Sequence, residues 1–451
     1  MTASRQLAGW TLGLEPGDVP AAVRAAARRH VLDALGCALG ARRSGEAEPA
    51  LRVAERLAGP PEATIIGGPR TGAAAAALAN GALVHALDFD DTHAGSLVHA
   101  TAAVLPAALA AAEEAAASGA DLLLAVVAGI EVVTRLGAAA PHAFHARGFH
   151  ATSICGTFAS ALACARLSGL GEDAAVDALG IAGSFAAGSL EFLADGSSTK
   201  QLHPGWAAHS GLVAARLAGA GASGPATILE GESGLYRSYV GRSLDPAQLT
   251  GDLGRRWETA RLTIKPYPAC QLSHASLDAL RAMRVAAGDV AGIRFRLPEE
   301  AAGIVCRPEP AKVRPRSPYE AKFSLPWCAA ALLLDGALGT GSFAPDRIER
   351  PEVLALAARV SHEAYDPGAP AASAGGWVEV TLRDGTRLTG EVPTSRGGPE
   401  NPFSEAEVLE KFRLNAGPGH ERVVDAVLRL DSLASVAELG SLLGEPAGVR
   451  G

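Results

Sequence analysis

The stretch His85-Ala-Leu-Asp-Phe-Asp-Asp-Thr-His-Ala-Gly-Ser-Leu-Val-His99 gathers three carboxylates, three imidazoles and two hydroxyls in a chain otherwise rich in alanine, leucine and glycine. The fold turns on what precedes it. Ala79-Asn-Gly-Ala-Leu-Val-His-Ala-Leu87 has little β-branching and repeats its apolar positions at helical spacing, so it predicts a helix running into the polar cluster. If that helix covers Ala79 to Thr92, His85, Asp88 and Thr92 share one face, and His99, beyond Gly95, lies on a loop or at a new helix start.

The same residues have a rival reading. Asp88-Phe-Asp-Asp-Thr92 matches Asp-x-Asp-x-Thr, the nucleophile motif of haloacid-dehalogenase-type phosphatases, which calls for a preceding buried strand and further acidic residues for Mg²⁺. The helical character of Ala79 to Leu87 speaks against it. A metal site of Asp90, His93 and His99 is chemically conceivable, though no spacing demands one.

Working outward, Val19 to about Ala218 is alanine-rich with helical periodicity, as in Val23 to Leu35 and Ala102 to Ala117, punctuated by breaks such as Ser118-Gly119 and Leu167-Ser-Gly-Leu-Gly171. After Leu262 the pattern changes. Gly292-Ile-Arg-Phe-Arg-Leu297 alternates like a strand, and Trp377 to Val392 reads as two strands joined at Asp384-Gly385. Leu325 to Leu338 and Arg350 to Val360 return to helix, and Ser404-Glu-Ala-Glu407 opens another with a capping-box pattern. The expected fold is mainly α: an all-α domain from residues 1–262 plus 401–451, with a smaller α+β lid domain inserted at 263–400.

At 451 residues the chain exceeds one ordinary core. Its net charge of −8, without a Lys/Arg block, points away from nucleic acid and anionic membranes and toward small-molecule partners. The six cysteines form no CxxC pair or disulfide framework, and the N-terminus lacks a signal-peptide pattern, so a cytoplasmic location is expected. Leu122 to Ile130, the most apolar run, is soon followed by Glu131 and Arg135 and is too short to span a bilayer.

Only five of the forty basic residues are lysine, and Lys200, Lys265 and Lys322 fall in Gly-, Pro- or aromatic-rich stretches. A retained ammonium in an arginine-rich chain hints at a need for a compact, titratable charge. Asp195-Gly-Ser-Ser-Thr-Lys200-Gln-Leu-His-Pro-Gly205 reads as an anion-binding loop before a helix over Trp206 to Ala218, but it is not a Walker loop. In Arg147-Gly-Phe-His150-Ala-Thr-Ser153, Thr152 or Ser153 is expected to cap the following helix. Lys265-Pro-Tyr-Pro-Ala-Cys270 is a stiff, lysine-bearing turn at the predicted domain junction, and the simplest role for Trp327 is core packing.

In this order, the segments His85 to His93 with Val98-His99, Gly148 to Ser153, Asp195 to Gly205, Lys265 to Cys270, Glu320-Ala-Lys-Phe-Ser-Leu-Pro326 and Gly397 to Pro402 resemble the MmgE/PrpD family over nearly the whole chain. That family includes 2-methylcitrate dehydratases, cis-aconitate decarboxylases and iminodisuccinate epimerases. The resemblance implies a helical domain with an α+β lid, commonly a homodimer, and chemistry without metal or organic cofactor. It implies catalytic roles for Asp88, Thr92, His99, His150 and Lys200, and a substrate-binding role for Lys265. Cys270 and Trp327 belong to the same substrate pocket by that resemblance but depart from it. Trp327 stands where members often carry tyrosine, and Cys270 where animal cis-aconitate decarboxylases carry histidine. The implied reaction is proton transfer next to a carboxylate, with dehydration of a hydroxylated di- or tricarboxylate as the leading expectation. Decarboxylation, epimerisation and a non-catalytic anion-binding role are the alternatives.

Overall fold

The computed structural model describes residues 1–366, 368, 371 and 374–444, and the protein is mainly α. The chain divides into two compact units. The first comprises Met1–Phe192, Thr199–Leu262 and Ser404–Gly451; the second comprises Leu193–Ser198 and Thr263–Phe403. No described helix is long and apolar enough to cross a membrane.

The first unit is a stack of helices made from small residues. Its centre holds Ala73–Ala86, Ala100–Glu114, Gly119–Ala138, Ala151–Leu167 and Thr199–Gly219, most of whose positions are buried. Alanine favours helix and leaves little side-chain bulk between neighbours, so these helices come close. One such close approach joins Ala73–Ala86 to Thr199–Gly219. A Cβ on Gly205 would lie 2.3 Å from the Leu78 carbonyl oxygen and 3.0 Å from the Ala82 nitrogen, and one on Gly81 would lie 2.6 Å from the Gly205 Cα. Glycine is required at this crossing because the two backbones already touch. Gly211 repeats the device against Ala151–Leu167, where a Cβ would meet the Ser160 Cβ at 2.4 Å and the Thr157 carbonyl oxygen at 2.7 Å.

The unit is not wholly helical. Ala63–Thr64 and Arg70–Thr71 pair as a short antiparallel ladder, which the sequence reading of an all-α domain lacks. Helix Glu405–Ala416 begins with the expected capping box between Ser404 and Glu407 and returns to Ala21–Ser44, where Phe412 lies against Gly36. The break read at Ser118-Gly119 separates Ala100–Glu114 from Gly119–Ala138, and Ser118 starts the second helix through a reciprocal cap with Asp121.

The second unit holds a four-stranded sheet in the order Val360–Tyr365, Val290–Pro298, Gly376–Leu382, Arg387–Val392. The first pair is parallel and the other two antiparallel. A parallel pair needs a long crossover, and helices including Glu299–Val305, Leu325–Asp335 and Pro351–Ala357 supply it. Ile293, Phe295, Val378 and Val380 face the core in register, Phe295 opposite Val378 and Ile293 opposite Val380. Helix His274–Ala282 lies on the sheet so closely that a Cβ on Gly376 would sit 1.9 Å from the Ala275 carbonyl oxygen. The expected helix Arg350 to Val360 is shorter because Val360 opens a strand.

Candidate active site

The polar cluster forms at the end of helix Ala73–Ala86, and it forms because that helix stops early. The expected continuation to Thr92 does not occur. Leu87 caps the helix, and Asp88 turns into the left-handed region at φ 52°. Aspartate tolerates that conformation better than most side chains. The following loop closes on itself through the His93 N–H donating to the Val98 carbonyl at 2.9 Å. Asp91 then receives the Thr101 N–H at 3.2 Å, placing a carboxylate at the start of helix Ala100–Glu114. With a helix before it and a loop after it, Asp88-Phe-Asp-Asp-Thr92 lacks the strand setting of the phosphatase motif, and that reading is set aside.

Asp90 is fully buried between two imidazoles. His85 Nδ1 approaches its two oxygens at 3.0 and 2.9 Å, and His99 Nδ1 lies 3.0 Å from Oδ2. Burial opposes the Asp90 charge, yet the two histidines outweigh it and hold the carboxyl well below the usual range. A carboxylate at these distances fixes the proton of each ring on Nδ1, leaving Nε2 as the nitrogen for chemistry. The His85 and His99 rings meet edge to face with centroids 4.3 Å apart.

Two other helices complete the cluster. His150 precedes Ala151–Leu167 as its N-cap residue, and its ring centroid lies 6.1 Å from those of both His85 and His99. Thr152 and Ser153 sit inside that helix rather than capping it; Thr152 Oγ1 instead accepts the His99 backbone N–H at 3.1 Å and so fixes where His99 stands. Thr199–Gly219 starts earlier than expected, so Lys200 occupies its first turn instead of a loop, and His203 follows one turn later. Lys200 Nζ donates to Asp88 Oδ1 at 2.7 Å, both side chains being buried.

His150 Nδ1 faces His203 Nδ1 at 3.0 Å. Burial, reinforced by His203, Lys200 and other cationic or imidazole neighbours, draws the His150 imidazole well below its ordinary value, and burial with His85 and Lys200 draws His203 to about 4. At neutral pH both rings are uncharged.

Asp88, Thr92, His99, His150 and Lys200 all lie buried in the first unit. Lys265, Cys270 and Trp327 belong to the second. Lys265 is buried in a segment anchored by the Ile264 N–H donating to the Gly397 carbonyl at 3.0 Å. The half-buried Cys270 donates its backbone N–H to the Lys322 carbonyl at 2.8 Å. Trp327 packs as expected: its indole is fully buried in the second unit's core, packs on Phe343 at 5.2 Å and donates to the Ile348 carbonyl at 3.1 Å. The trio Asp90, His93 and His99 is not brought together, because His93 is held by Ser96 at 2.8 Å and Glu258 at 3.3 Å. Ring nitrogens of His85, His99 and His150 do fall within 4.8 Å of one another, as do donor atoms of His85, Asp88, Asp90 and His99.

Sequence reasoning missed three supports. His203 was read only as part of a glycine-rich loop, although its i+3 spacing from Lys200 signals a shared helical face once the loop is read as helix. Lys411 donates to the Phe89 carbonyl and to Asp33 Oδ1, both at 2.7 Å, and bolsters the Asp88–Thr92 loop from a helix more than three hundred residues away. His30 Nδ1 stands 3.0 Å from Asp91 Oδ2 and holds the other end of that loop.

Both family models for the MmgE/PrpD domains match this mainly helical chain and its second α+β unit, and the chain belongs to the MmgE/PrpD family. The family's N-terminal domain matches residues 5–246 and its C-terminal domain residues 267–430. Among curated relatives, the cis-aconitate decarboxylase of Aspergillus terreus is 30% identical over 473 residues, spanning 98% of this chain and 96% of that one. The cis-aconitate decarboxylase of Homo sapiens is 32% identical over 460 residues, spanning 96% and 93% respectively. That of Mus musculus is 31% identical over 473 residues, spanning 99% and 94%.

Proposed function

We propose that this protein is a carboxy-lyase acting on cis-aconitate or a closely similar unsaturated tricarboxylate. The observation that carries the reading is the end-to-end similarity to cis-aconitate decarboxylases, together with a buried Lys200 and neutral His150 in one cluster. The dehydration expected from the sequence has support only at the level of the family, so decarboxylation replaces it as the leading reading.

In this mechanism the bond to the departing carboxylate breaks and its electron pair forms a new C=C bond. The pair of the old double bond moves to the carbon beside a remaining carboxylate, which then takes a proton. Lys200 supplies fixed positive charge where negative charge develops, and low surrounding polarity makes that charge effective. His150 and His99 flank the reacting carbon as proton carriers. Asp90 and Thr152 position His99, and Asp88 positions the Lys200 ammonium. Lys265 acts as a second carboxylate clamp in this reading, and the protein works as a homodimer without metal or organic cofactor.

The test is proton NMR in D₂O with cis-aconitate, citrate, 2-methylcitrate and an amino-diacid, with and without EDTA. The expected result is a decarboxylated product from cis-aconitate, with one deuterium on carbon and no effect of EDTA. Vinylic signals from a hydroxy acid alone would restore the dehydratase reading. Binding of cis-aconitate without turnover would establish the non-catalytic one.

A further inference from the structure

The reading above leaves His203 without a role. Its contact with His150 is unusual because both partners present the same kind of atom, an imidazole Nδ1, at 3.0 Å. Two bare nitrogens at that distance would set lone pair against lone pair, and two protonated ones would set hydrogen against hydrogen. One proton therefore lies between them. It can sit on either ring, and its position decides the state of the opposite nitrogen of a neutral His150. With the proton on His150 Nδ1, Nε2 is a base; with the proton on His203, His150 carries its own on Nε2 and is an acid.

We infer that His203 is a positioning residue that sets the tautomer of His150 and passes it the proton used in turnover. This rests on the carboxy-lyase reading. As His150 Nε2 gives its proton to the substrate carbon, His150 Nδ1 takes the proton held by His203 Nδ1, and His203 Nε2 takes one from water. Both rings stay neutral and one solvent proton is consumed for each carboxylate lost. After product leaves, water protonates His150 Nε2, the shared proton returns to His203, and His203 Nε2 releases its own.

The surroundings suit this role. His203 is 6% exposed against 2% for His150, placing it on the more accessible side. Its facing charged and titratable neighbours are Lys200 on its own helix, His85 on Ala73–Ala86, and His150 at the head of Ala151–Leu167; His145 faces His150 with ring centroids 6.0 Å apart. No carboxylate is paired with either Nδ1 among the described residues, so nothing pins the proton to one ring as Asp90 pins those of His85 and His99. The His203 backbone carbonyl accepts from Ser153 Oγ at 3.3 Å, and its ring packs on Phe192 at 5.9 Å, which hold the imidazole in place.

The test compares His203→Asn with His203→Phe in the full-length protein. An asparagine amide can keep a hydrogen bond to His150 Nδ1 but cannot pass a proton through; phenylalanine does neither. Both variants are expected to lose about 10- to 100-fold in kcat on cis-aconitate, with KM within about twofold, as for a group needed in the chemical step. The kcat–pH profile and solvent isotope effect should change in both. In ¹⁵N-histidine NMR without substrate, the wild type should show neutral rings sharing one Nδ1 proton, and His203→Asn should lock His150 in a single tautomer. Unchanged kcat, isotope effect and His150 spectrum in His203→Asn would overturn the inference even if His203→Phe fails to fold. A shared-proton spectrum in a protein that does not decarboxylate cis-aconitate would instead overturn the functional reading and leave the tautomer assignment standing.

Discussion

Replacing Gly205 with alanine tests whether the backbone crossing beneath the site sets its geometry. The added Cβ would stand 2.3 Å from the Leu78 carbonyl oxygen, so relief of the clash requires the two helices to separate by about 1 Å to reach ordinary contact. In an open helix Gly→Ala gains about 1 kcal/mol from propensity. Overpacking here costs about 1–3 kcal/mol, and because backbone meets backbone the upper part of that range applies, leaving a net loss of about 1–2 kcal/mol. Function should suffer more than stability. Lys200 and His203 ride on one helix, His85 and the Asp88 turn on the other. A displacement of about 1 Å at reacting groups can cost about 100-fold in rate. The assay is steady-state decarboxylation of cis-aconitate beside a thermal melt, with Gly303→Ala, which meets no atom within 4 Å, as control. A Gly205→Ala protein with unchanged Tm and kcat within twofold of wild type would refute the reasoning.

Asp90→Asn should retain the fold yet lose roughly 10²- to 10⁴-fold in kcat/KM, because an amide no longer fixes Nδ1 protonation on both His85 and His99; a loss under threefold would remove Asp90 from the site's machinery. Stability should fall as pH drops from about 6.5 toward 4. His145 and His203 are held near 4 in the folded protein, by burial first, then by a neighbouring imidazole (His142 and His85 respectively) and Lys200, so the unfolded chain binds more protons across that window and each group costs up to about 1.4 kcal/mol per pH unit. Urea midpoints between pH 7 and 5 measure this, and His145→Gln should flatten the slope; a variant with the wild-type slope would count against the assignment.

The alanine-rich helices, the strand at Gly292 to Leu297, the hairpin turning at Asp384-Gly385 and the Ser404 capping box were legible because each is decided by neighbours within a few residues. The polar cluster was visible as composition, but its pairing was not. Asp90 reads from sequence as a possible metal ligand, while its partners are rings on both sides of its own loop. The sequence reading carries the helix too far, through Asp88, because periodicity holds no information about a left-handed turn or about a lysine partner 112 residues away. The packing of Trp327 is legible from its apolar helical neighbours, and its indole contacts follow that argument. His203 escapes because its i+3 spacing from Lys200 carries meaning only once the segment is read as helix, and Lys411 because nothing local distinguishes a lysine that meets a partner on another helix.

The touching backbones at Gly81 and Gly205 also bear on how such a site can diversify. Where side chains separate two helices, a change of one residue can widen or narrow the gap and retune everything above it. Here there is no spacer to exchange, so the span between the Lys200 ammonium and the His85–Asp90 pair behaves like a cast part rather than an adjustable one. A change of spacing in a protein built this way must come from residues away from the crossing, while the relation between these two helices is inherited whole.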